Sequence, residues 1–314
     1  MKLPPELHPQ MAEALRRSAE IAAALGPPQP GVAGLRRHAD EARAWWSEGG
    51  PELALVREDR VPGPVREIPV MVYRARETGS PQPAFVFLHG GGFKLGSHRS
   101  NDRQMRELAL AWGGTVISAD YLHVPEHTFP APVQETAALL RWLHRAGKAW
   151  GIDGERLAFG GASAGANVAF GAAIDIGRVP WLRAAVGIVG AFSDDTGTGS
   201  MQRWGDGGLF PDRASAPASF EAYVPDPARR SDPRVALLAG DASLLPPTFL
   251  AAAECDVYRD ASSNMARRLQ EAQRLHAFKV YAGMTHLFFN YSRSVDAAAE
   301  CVRDVAAFLR EYVG

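Results

Sequence analysis

Short apolar segments alternate with helical segments along most of this chain, and this alternation is the feature that most constrains its fold. From about residue 65 onward, several of the apolar segments lack the polar–apolar alternation of a half-exposed strand. Continuously apolar strands are typical of a sheet covered by helices on both faces. We therefore predict an α/β fold with a mainly parallel, doubly wound sheet flanked by helices. The predicted strands cover residues 70–74, 84–88, 115–119, 157–160, 184–189, 248–253 and 277–281.

Two parts of the chain lie outside this alternation. Apolar residues recur at helical spacing over residues 11–25 and 35–46, and a breaker rich in Gly and Pro separates these segments. Residues 193–232 mix Gly, Pro, Asp and Ser with aromatic residues, and a connection of that length is more often a lid than a plain loop. We predict that residues 1–55 form N-terminal cap helices, that residues 56–314 form the main domain, and that the insertion at about 193–232 completes a helical cap.

Charge and cysteine content narrow the classes of protein. The 314 residues include 34 basic and 35 acidic side chains, so the net charge of -1 provides no field that would attract nucleic acid. Two cysteines, Cys255 and Cys301, are too few for a disulfide framework and do not have the spacing of a zinc site. We expect two buried thiols in a reducing compartment, and no nucleic-acid partner.

The apolar segments also bear on localisation. The N-terminal segment has Pro, Glu and Arg where a secretory signal needs an unbroken apolar stretch. The most apolar window, residues 179–192, contains Arg183 and is too short to span a bilayer. The sequence therefore predicts a soluble cytoplasmic protein without a membrane span.

The strongest chemical signal is the pentapeptide Gly161-Ala-Ser-Ala-Gly165. It directly follows the predicted strand at 157–160 and directly precedes a helical segment at 166–176. A sharp strand-to-helix turn leaves no room for side chains beside its central residue, so the glycines suit a turn that exposes the hydroxyl of Ser163. An ordinary Gly-rich turn is the alternative. In this context the sequence favours a nucleophile elbow, with Ser163 as the nucleophile.

A second signal, His89-Gly-Gly-Gly-Phe93, lies at the end of the predicted strand at 84–88. Consecutive glycines let the main chain approach a substrate and direct its N–H groups to the place where an oxyanion develops. A flexible turn would explain the same residues if the motif stood alone. Because it occurs together with the elbow, the sequence favours a loop that stabilises an oxyanion.

A serine nucleophile needs a base, and two histidines follow Ser163 in the sequence. His276 precedes the last predicted strand and is interpreted as a surface residue near the end of a helix. His286 follows that strand, at the carboxyl edge of the sheet where catalytic groups lie in α/β proteins. The sequence therefore favours His286 as the base.

The base in turn needs an acid to orient it, and in this arrangement the acid lies between the serine and the histidine in chain order. Asp256 comes directly after the predicted strand at 248–253. Glu254 lies closer to the end of that strand, and Asp260 lies one turn further on. The carboxyl-edge argument favours Asp256, although any single carboxylate is more often a solvated loop charge.

Taken together, these segments resemble the hormone-sensitive-lipase family of bacterial α/β-hydrolase esterases, from about residue 60 to the C-terminus. Three departures stand out: Ala162 replaces the usual Asp or Glu, Leu122-His123-Val124 replaces Arg-Leu-Ala, and Leu287 replaces Gly. The matching segments are His89-Gly-Gly-Gly-Phe93, Asp120-Tyr121, Pro125-Glu-His-Thr-Phe-Pro130, Gly161-Ala-Ser-Ala-Gly165, Ser231-Asp-Pro233, Asp256-Val-Tyr-Arg-Asp260 and Gly283-Met-Thr-His286.

The resemblance implies an α/β-hydrolase fold for residues 56–314 and a carboxylesterase that hydrolyses esters of small molecules through an acyl-enzyme. Dimerisation through about residues 277–313 is frequent in the family, so a homodimer is a further expectation. The implied catalytic triad is Ser163, Asp256 and His286, and the implied oxyanion hole consists of the backbone N–H groups of Gly91, Gly92 and Ala164.

Cofactor and metal sites are not expected. The sequence has no phosphate loop and no Gly-x-Gly-x-x-Gly motif. His123 and His127 are four residues apart but flank Pro125, so they do not share a helical face that could bind a metal. The segment from Pro125 to Pro130 is interpreted as bracing the site.

Substrate contacts are predicted for Phe93, Trp204, Phe210 and Leu287. The cap aromatics either pack the cap onto the sheet or line an apolar pocket, and the second alternative predicts a preference for short or medium uncharged acyl groups. These aromatics are Trp45, Trp46, Trp204, Phe210, Phe220 and Tyr223.

Two other functions use the same fold. An acyltransferase or amidase would employ the same triad on a dedicated metabolite, and sequence does not separate it from a hydrolase because acceptor choice depends on pocket shape and water access. A non-catalytic receptor for small molecules would keep the pocket and lose the triad. All three triad positions are filled here, so the sequence favours an enzyme.

Overall fold

An eight-stranded sheet forms the centre of the structure, a computed structural model that describes residues 3–314. Its strands are β1 (Leu55–Pro62), β2 (Glu67–Arg74), β3 (Gln82–Leu88), β4 (Thr115–Ala119), β5 (Ile152–Ala162), β6 (Leu182–Ile188), β7 (Thr248–Cys255) and β8 (Leu275–Thr285). Their order across the sheet is β1-β2-β4-β3-β5-β6-β7-β8. β2 pairs antiparallel with both β1 and β4, whereas the strands from β4 to β8 pair in parallel. The predicted α/β fold with a mainly parallel sheet is confirmed.

Helices connect the strands and cover the sheet. They are α1 (Pro9–Leu25), α2 (Gly31–Ser47), α3 (Asp102–Trp112), α4 (Ala131–Ala146), α5 (Ala164–Ile176), α6 (Gly199–Trp204), α7 (Ser215–Tyr223), α8 (Arg259–Glu271) and α9 (Asp296–Val313). α3 packs on α9 and α4 packs on α5, which gives paired helices alongside the sheet. Among the helices of residues 3–314, none combines the length and apolar character needed to cross a membrane.

The carboxyl ends of the parallel strands bring distant parts of the chain to one edge of the sheet. In the register of the sheet, Leu88 at the end of β3 lies opposite Gly161 near the end of β5. At the other side, Cys255 at the end of β7 lies opposite Thr285 at the end of β8. The segments that follow these four strands therefore start close together, although they are separated by up to two thirds of the chain.

The N-terminal helices dock near this edge. The backbone N–H of His8 donates to the carbonyl of Gly283 at 3.0 Å, and Met11 of α1 is fully buried. Arg36 of α2 donates to the carbonyl of Val124 and forms an ion pair with Glu126, with nitrogen–oxygen distances of 2.9 and 2.7 Å. The predicted helices at 11–25 and 35–46 are present, and the division into a cap and a main domain remains a prediction.

Two local elements were not predicted from the sequence, and one local prediction differs from the structure. The strand β1 was not predicted, because its sequence is largely charged and it pairs with only one neighbour at the edge of the sheet. The insertion at about 193–232 contains the short helices α6 and α7, whose lengths are too small for a clear apolar period. His276 is the second residue of β8 and packs against Phe308, rather than ending a helix.

Both cysteines, Cys255 and Cys301, are buried free thiols, as predicted. Burial raises the pKa of Cys255 to about 11 and that of Cys301 to about 12. The thiolate is the reactive form of cysteine, so both side chains are inert at neutral pH and act as packing residues.

Candidate active site

Ser163 lies between the end of β5 and the start of α5, in a strained turn. Its backbone angles are φ 54° and ψ -121°, a conformation that L-residues rarely adopt. The neighbouring glycines are required by close packing, because a Cβ at Gly161 would lie 2.5 Å from the carbonyl oxygen of Leu88 and one at Gly165 would lie 2.3 Å from it. The turn therefore has the geometry of the predicted elbow, with its central side chain projecting from the sheet edge.

A continuous chain of hydrogen bonds runs from Ser163 through His286 to Asp256. Nε2 of His286 lies 2.7 Å from Oγ of Ser163, and Nδ1 of His286 lies 2.9 Å from Oδ2 of Asp256. Asp256 is 2% exposed and His286 is 6% exposed, so water competes little for these bonds. The other carboxylate oxygen of Asp256 accepts from the backbone N–H of Tyr258 at 3.0 Å. This arrangement can activate a serine hydroxyl and can orient the imidazole.

The competing candidates are occupied elsewhere. Nδ1 of His276 lies 3.2 Å from the hydroxyl of Tyr312. Glu254 accepts from the backbone N–H of Gly283 at 2.8 Å, and Asp260 accepts from that of Ser200 at the same distance. None of these three side chains contacts the serine or its histidine in the described part of the chain, so the structure brings together the residues that the carboxyl-edge argument favours.

Three backbone N–H groups beside Ser163 have no acceptor among residues 3–314. They belong to Gly91 and Gly92, in the loop after β3, and to Ala164, the first residue of α5. Gly91 has φ 153°, and a Cβ there would lie 1.8 Å from the carbonyl oxygen of Leu95, so a side chain does not fit. All three residues line the same cavity as Ser163. Unpaired donors beside a nucleophile are suited to an oxyanion.

Side chains behind the glycine loop hold it in place. His89 is fully buried, its Nε2 lies 3.4 Å from Oδ1 of Asp120, and its ring stacks on Tyr121. Burial by itself would raise the pKa of Asp120, but the hydrogen bond with His89 and the charge of Arg66 lower it to about 2. The backbone N–H of Val124 donates to the carbonyl of Phe93 at 3.0 Å, which ties the segment before Pro125 to the loop.

Ser163 and His286 open into a cavity at the carboxyl edge of the sheet. Of the predicted substrate contacts, Phe93, Phe210 and Leu287 line this cavity. Trp204 does not, because it is 3% exposed at the end of α6 and its ring lies under the guanidinium of Arg203. Among the cap aromatics, Phe210 alone lines the cavity, and the others pack within the cap or against the sheet: Trp45, Trp46, Trp204, Phe220 and Tyr223.

Sequence reasoning missed several lining residues. Arg43 reaches the cavity from α2, Tyr258 lies beside His286, and Asn101 and Asn290 form a hydrogen-bonded pair. Burial raises the pKa of the Tyr258 hydroxyl, which therefore remains protonated. Of these residues, only Tyr258 lies in a segment that the sequence analysis had singled out, Asp256-Val-Tyr-Arg-Asp260.

Comparison with known proteins identifies the family. A sequence profile of a protein family, whose description is "alpha/beta hydrolase fold", matches residues 85–290. The match covers more than half of the chain. The chain belongs to the alpha/beta hydrolase family.

Solved structures support the same assignment. A hyperthermophilic esterase from the archaeon Pyrobaculum calidifontis superposes on this alpha/beta hydrolase with a TM-score of 0.87 at 29% identity, covering 99% of each chain. A serine-to-alanine mutant of an alpha/beta hydrolase enzyme from the metagenome of Lake Arreo, Spain, superposes with a TM-score of 0.88 at 30% identity, covering 98% of this chain and 99% of that chain. A thermophilic carboxylesterase cloned from a metagenomic library superposes with a TM-score of 0.84 at 27% identity, covering 91% of this chain and 98% of that chain.

The predicted membership of the hormone-sensitive-lipase type of alpha/beta hydrolases is thereby confirmed, as is the prediction that the chain is an enzyme of the esterase class. Ala162, where the family usually has a carboxylate, lines the cavity next to Ser163 and is 7% exposed. The residue directly before the candidate nucleophile of this alpha/beta hydrolase is therefore uncharged, whereas the family pattern has an acidic residue there.

One cluster of potential metal ligands lies behind the glycine loop of this alpha/beta hydrolase. Ligand atoms of His89, Asp120 and His123 lie within 4.8 Å of one another. Burial lowers the pKa of His123 to about 3, so its ring is neutral at physiological pH. Asp120 is already 3.3 Å from the guanidinium of Arg66. A divalent cation at this cluster would therefore lie close to the fixed positive charge of Arg66.

We accordingly expect dialysis against EDTA to leave kcat/KM for an activated ester unchanged within error, because the hydrogen bonds from Ser163 to Asp256 need no cation. The measurement is the hydrolysis rate before and after dialysis, with Zn²⁺ and Mg²⁺ added back separately. Loss of activity that a divalent cation restores would contradict the expectation. In that event, a parallel loss of cation response in His123→Gln would assign the metal to this cluster.

Proposed function

We propose that this alpha/beta hydrolase cleaves carboxylic esters of small molecules through an acyl-enzyme formed on Ser163. The observation that supports this most directly is the hydrogen-bonded series Ser163, His286 and Asp256, at 2.7 and 2.9 Å, next to three unpaired backbone donors. In acyl transfer the serine acts as nucleophile, the histidine as base and the aspartate as the group that orients the histidine. A pocket that only bound a ligand would not need this arrangement.

In the first half of the reaction, Oγ of Ser163 attacks the ester carbonyl carbon and Nε2 of His286 accepts the hydroxyl proton. The carbonyl π electrons move to the oxygen, which becomes an oxyanion. When the tetrahedral intermediate collapses, the bond to the alkoxy oxygen breaks and His286 returns its proton to that oxygen. The alcohol leaves, and the acyl group remains bound to Ser163.

In the second half, a water molecule replaces the alcohol. His286 accepts a proton from the water, whose oxygen attacks the acyl carbon and forms a second oxyanion. Collapse of this intermediate breaks the bond to Oγ, and His286 returns the proton to Ser163. The products are the carboxylic acid and the regenerated enzyme.

Both oxyanions are proposed to bind at the N–H groups of Gly91, Gly92 and Ala164. These donors are fixed by the backbone, so they need no reorganisation when the charge forms, and Ala164 also begins a thirteen-residue helix whose dipole favours negative charge at this end. Asp256 stabilises the imidazolium of His286 and keeps the proton on Nδ1, so that Nε2 faces the serine.

The shape of the cavity leads to a prediction on acyl length. Phe93, Phe210 and Phe289 line the cavity, and we propose that it is closed at one end. Esters of p-nitrophenol are therefore expected to show a maximum of kcat/KM at short to medium acyl chains. Each added methylene that is buried stabilises the transition state by up to about 0.8 kcal/mol, or roughly fourfold in rate, until the chain no longer fits. The measurement is kcat/KM across the acyl series in buffer with water as the sole acceptor.

The same series separates the alternatives. A rate that still increases at long-chain esters would contradict the closed cavity and would indicate an open lipase groove. Absence of turnover in water, followed by turnover when an alcohol or amine is added, would instead assign the triad to acyl transfer. Binding of esters without turnover, both in water alone and with an added alcohol or amine, would favour a non-catalytic receptor for small molecules.

A further inference from the structure

One positively charged side chain enters the catalytic cavity from outside the sheet. Arg43 lies on α2, in the N-terminal part of the chain, and lines the same cavity as Ser163 and His286. Its guanidinium lies against the glycine loop, since a Cβ at Gly96 would be 3.0 Å from Nη1 of Arg43. A Cβ at Gly96 would also lie 2.5 Å from Nδ1 of His89, so a side chain at this position would crowd both groups.

Arg43 has no partner for its charge in the described part of the chain. Its guanidinium forms no ion pair within 4.0 Å and donates no hydrogen bond among residues 3–314, although five N–H groups are available on an arginine side chain. Arg36, on the same helix, forms an ion pair with Glu126 at 2.7 Å and donates to two backbone carbonyls. Arg37, on the same helix, also forms no ion pair, but it is exposed to solvent, whereas Arg43 is half-buried and lines the cavity.

The walls of the cavity do not supply the missing negative charge. No Asp or Glu is among the described residues that line it, and Asp256 lies behind His286. Asp40, three residues before Arg43 on α2, is exposed to solvent and lies beyond ion-pair distance, so its charge acts on Arg43 only at longer range. Arginine remains charged at neutral pH, so the half-buried guanidinium of Arg43 is available to a negatively charged group in the cavity.

A second donor lies in the same cavity. Asn290 accepts a hydrogen bond from Asn101 at 2.9 Å through its side-chain oxygen, and its amide nitrogen donates to no group among residues 3–314. The cavity therefore presents a fixed cation, an unused amide donor and no acidic side chain. This combination is complementary to an anionic group on the substrate, and the planar guanidinium matches the two oxygens of a carboxylate.

We propose that Arg43 is a specificity-determining residue that binds a carboxylate carried by the ester substrate, so that the preferred substrates are monoesters of dicarboxylic acids or esters of hydroxy acids. This proposal rests on the proposed ester hydrolysis and names its substrate class. It would replace the uncharged substrate expected from the cap aromatics. The carboxylate does not take part in bond cleavage, and it positions the ester carbonyl at Ser163.

The test compares acidic esters with neutral counterparts. One pair places the charge on the acyl side: mono-p-nitrophenyl glutarate against p-nitrophenyl hexanoate. The other places it on the alcohol side: p-acetoxybenzoate against its methyl ester. The quantity compared is the ratio of kcat/KM for the acidic ester to that for the neutral ester. In Arg43→Met this ratio is expected to fall about 10- to 100-fold for at least one pair, because a charged hydrogen-bonded pair is lost.

Two further variants sharpen the comparison. Arg43→Lys keeps the charge and loses the planar fork, so its ratio is expected to lie between those of the wild type and Arg43→Met. Arg37→Met removes an exposed arginine from the same helix and is expected to leave the ratio unchanged. Unchanged ratios for both pairs in a folded Arg43→Met protein would overturn the proposal.

A binding measurement on the wild type covers the case in which Arg43→Met does not fold. Glutarate is expected to inhibit hydrolysis of a neutral ester competitively, and glutaramide, which has a similar shape and no charge, is expected to inhibit much less. Equal inhibition by both compounds would overturn the proposal. If neither neutral nor acidic esters are hydrolysed, the proposed function fails. Calorimetric binding of glutarate to the wild type, weaker in Arg43→Lys, would then still support a carboxylate site. Absence of glutarate binding to the wild type would overturn the site as well.

Discussion

Replacing Ser163 with alanine is expected to reduce kcat for ester hydrolysis by a factor on the order of 10⁶, because the nucleophile is lost and the remaining groups act as a unit with it. The fold is expected to be retained. Alanine keeps the Cβ of serine and therefore fits the same strained backbone, and the backbone hydrogen bond from residue 163 to the carbonyl of Ile188, 2.9 Å long, does not involve the side chain.

The measurement is kcat on an activated ester together with the melting temperature. Ser263→Ala is the matched control, since it removes a hydroxyl from α8 that does not line the cavity. Residual activity of Ser163→Ala within tenfold of the wild type would contradict the acyl-enzyme mechanism. A large fall in melting temperature would show instead that the serine has a structural role.

Replacing Asp256 with asparagine is expected to reduce kcat by about 10⁴-fold. Both carboxylate oxygens are used as acceptors: Oδ1 by the backbone N–H of Tyr258 at 3.0 Å, and Oδ2 by Nδ1 of His286 at 2.9 Å. Asparagine has a single oxygen. If that oxygen accepts from Tyr258, the amide nitrogen faces Nδ1 of His286 as a donor. The imidazole proton then lies on Nε2, and a protonated Nε2 cannot accept the proton of Ser163.

Asp260→Asn serves as the control, because its carboxylate bonds to Ser200 and Arg259 and not to the histidine. We expect its kcat to remain within a few-fold of the wild type. The assignment of Asp256 is wrong if Asp256→Asn keeps full activity and Asp260→Asn loses it. The spectroscopic signature of the first variant is the tautomer of His286, which nitrogen NMR reports directly.

The sequence was sufficient to predict the sheet and the order of its catalytic segments, because each depends on a local pattern. Gly161 and Gly165 flank Ser163 within one pentapeptide, and His286 and Asp256 each follow a strand directly. A general property of parallel sheets then brings the ends of those strands to one edge. Local patterns and one topological rule were enough to place these residues together.

The remainder depends on tertiary contacts that leave no local pattern. Arg43 is separated from the glycine loop by about fifty residues, and only the docking of α2 brings it to the cavity. Trp204 and Phe210 are both aromatic residues of the insertion, and nothing in their local sequence distinguishes the buried one from the exposed one. The strand β1 has the composition of a loop and becomes a strand by pairing with β2.

Two separate regions of the chain contribute to the cavity, and this separation affects how the protein can evolve. The proposed reacting groups and oxyanion donors lie in segments that directly follow strands of the sheet, whereas Arg43 lies on a helix that precedes the first strand. Substitutions in α2 can therefore change which esters are accepted without displacing Ser163, His286 or the glycine loop. Descendants of this gene can acquire new substrates by altering the N-terminal helices while they inherit the machinery of bond cleavage intact.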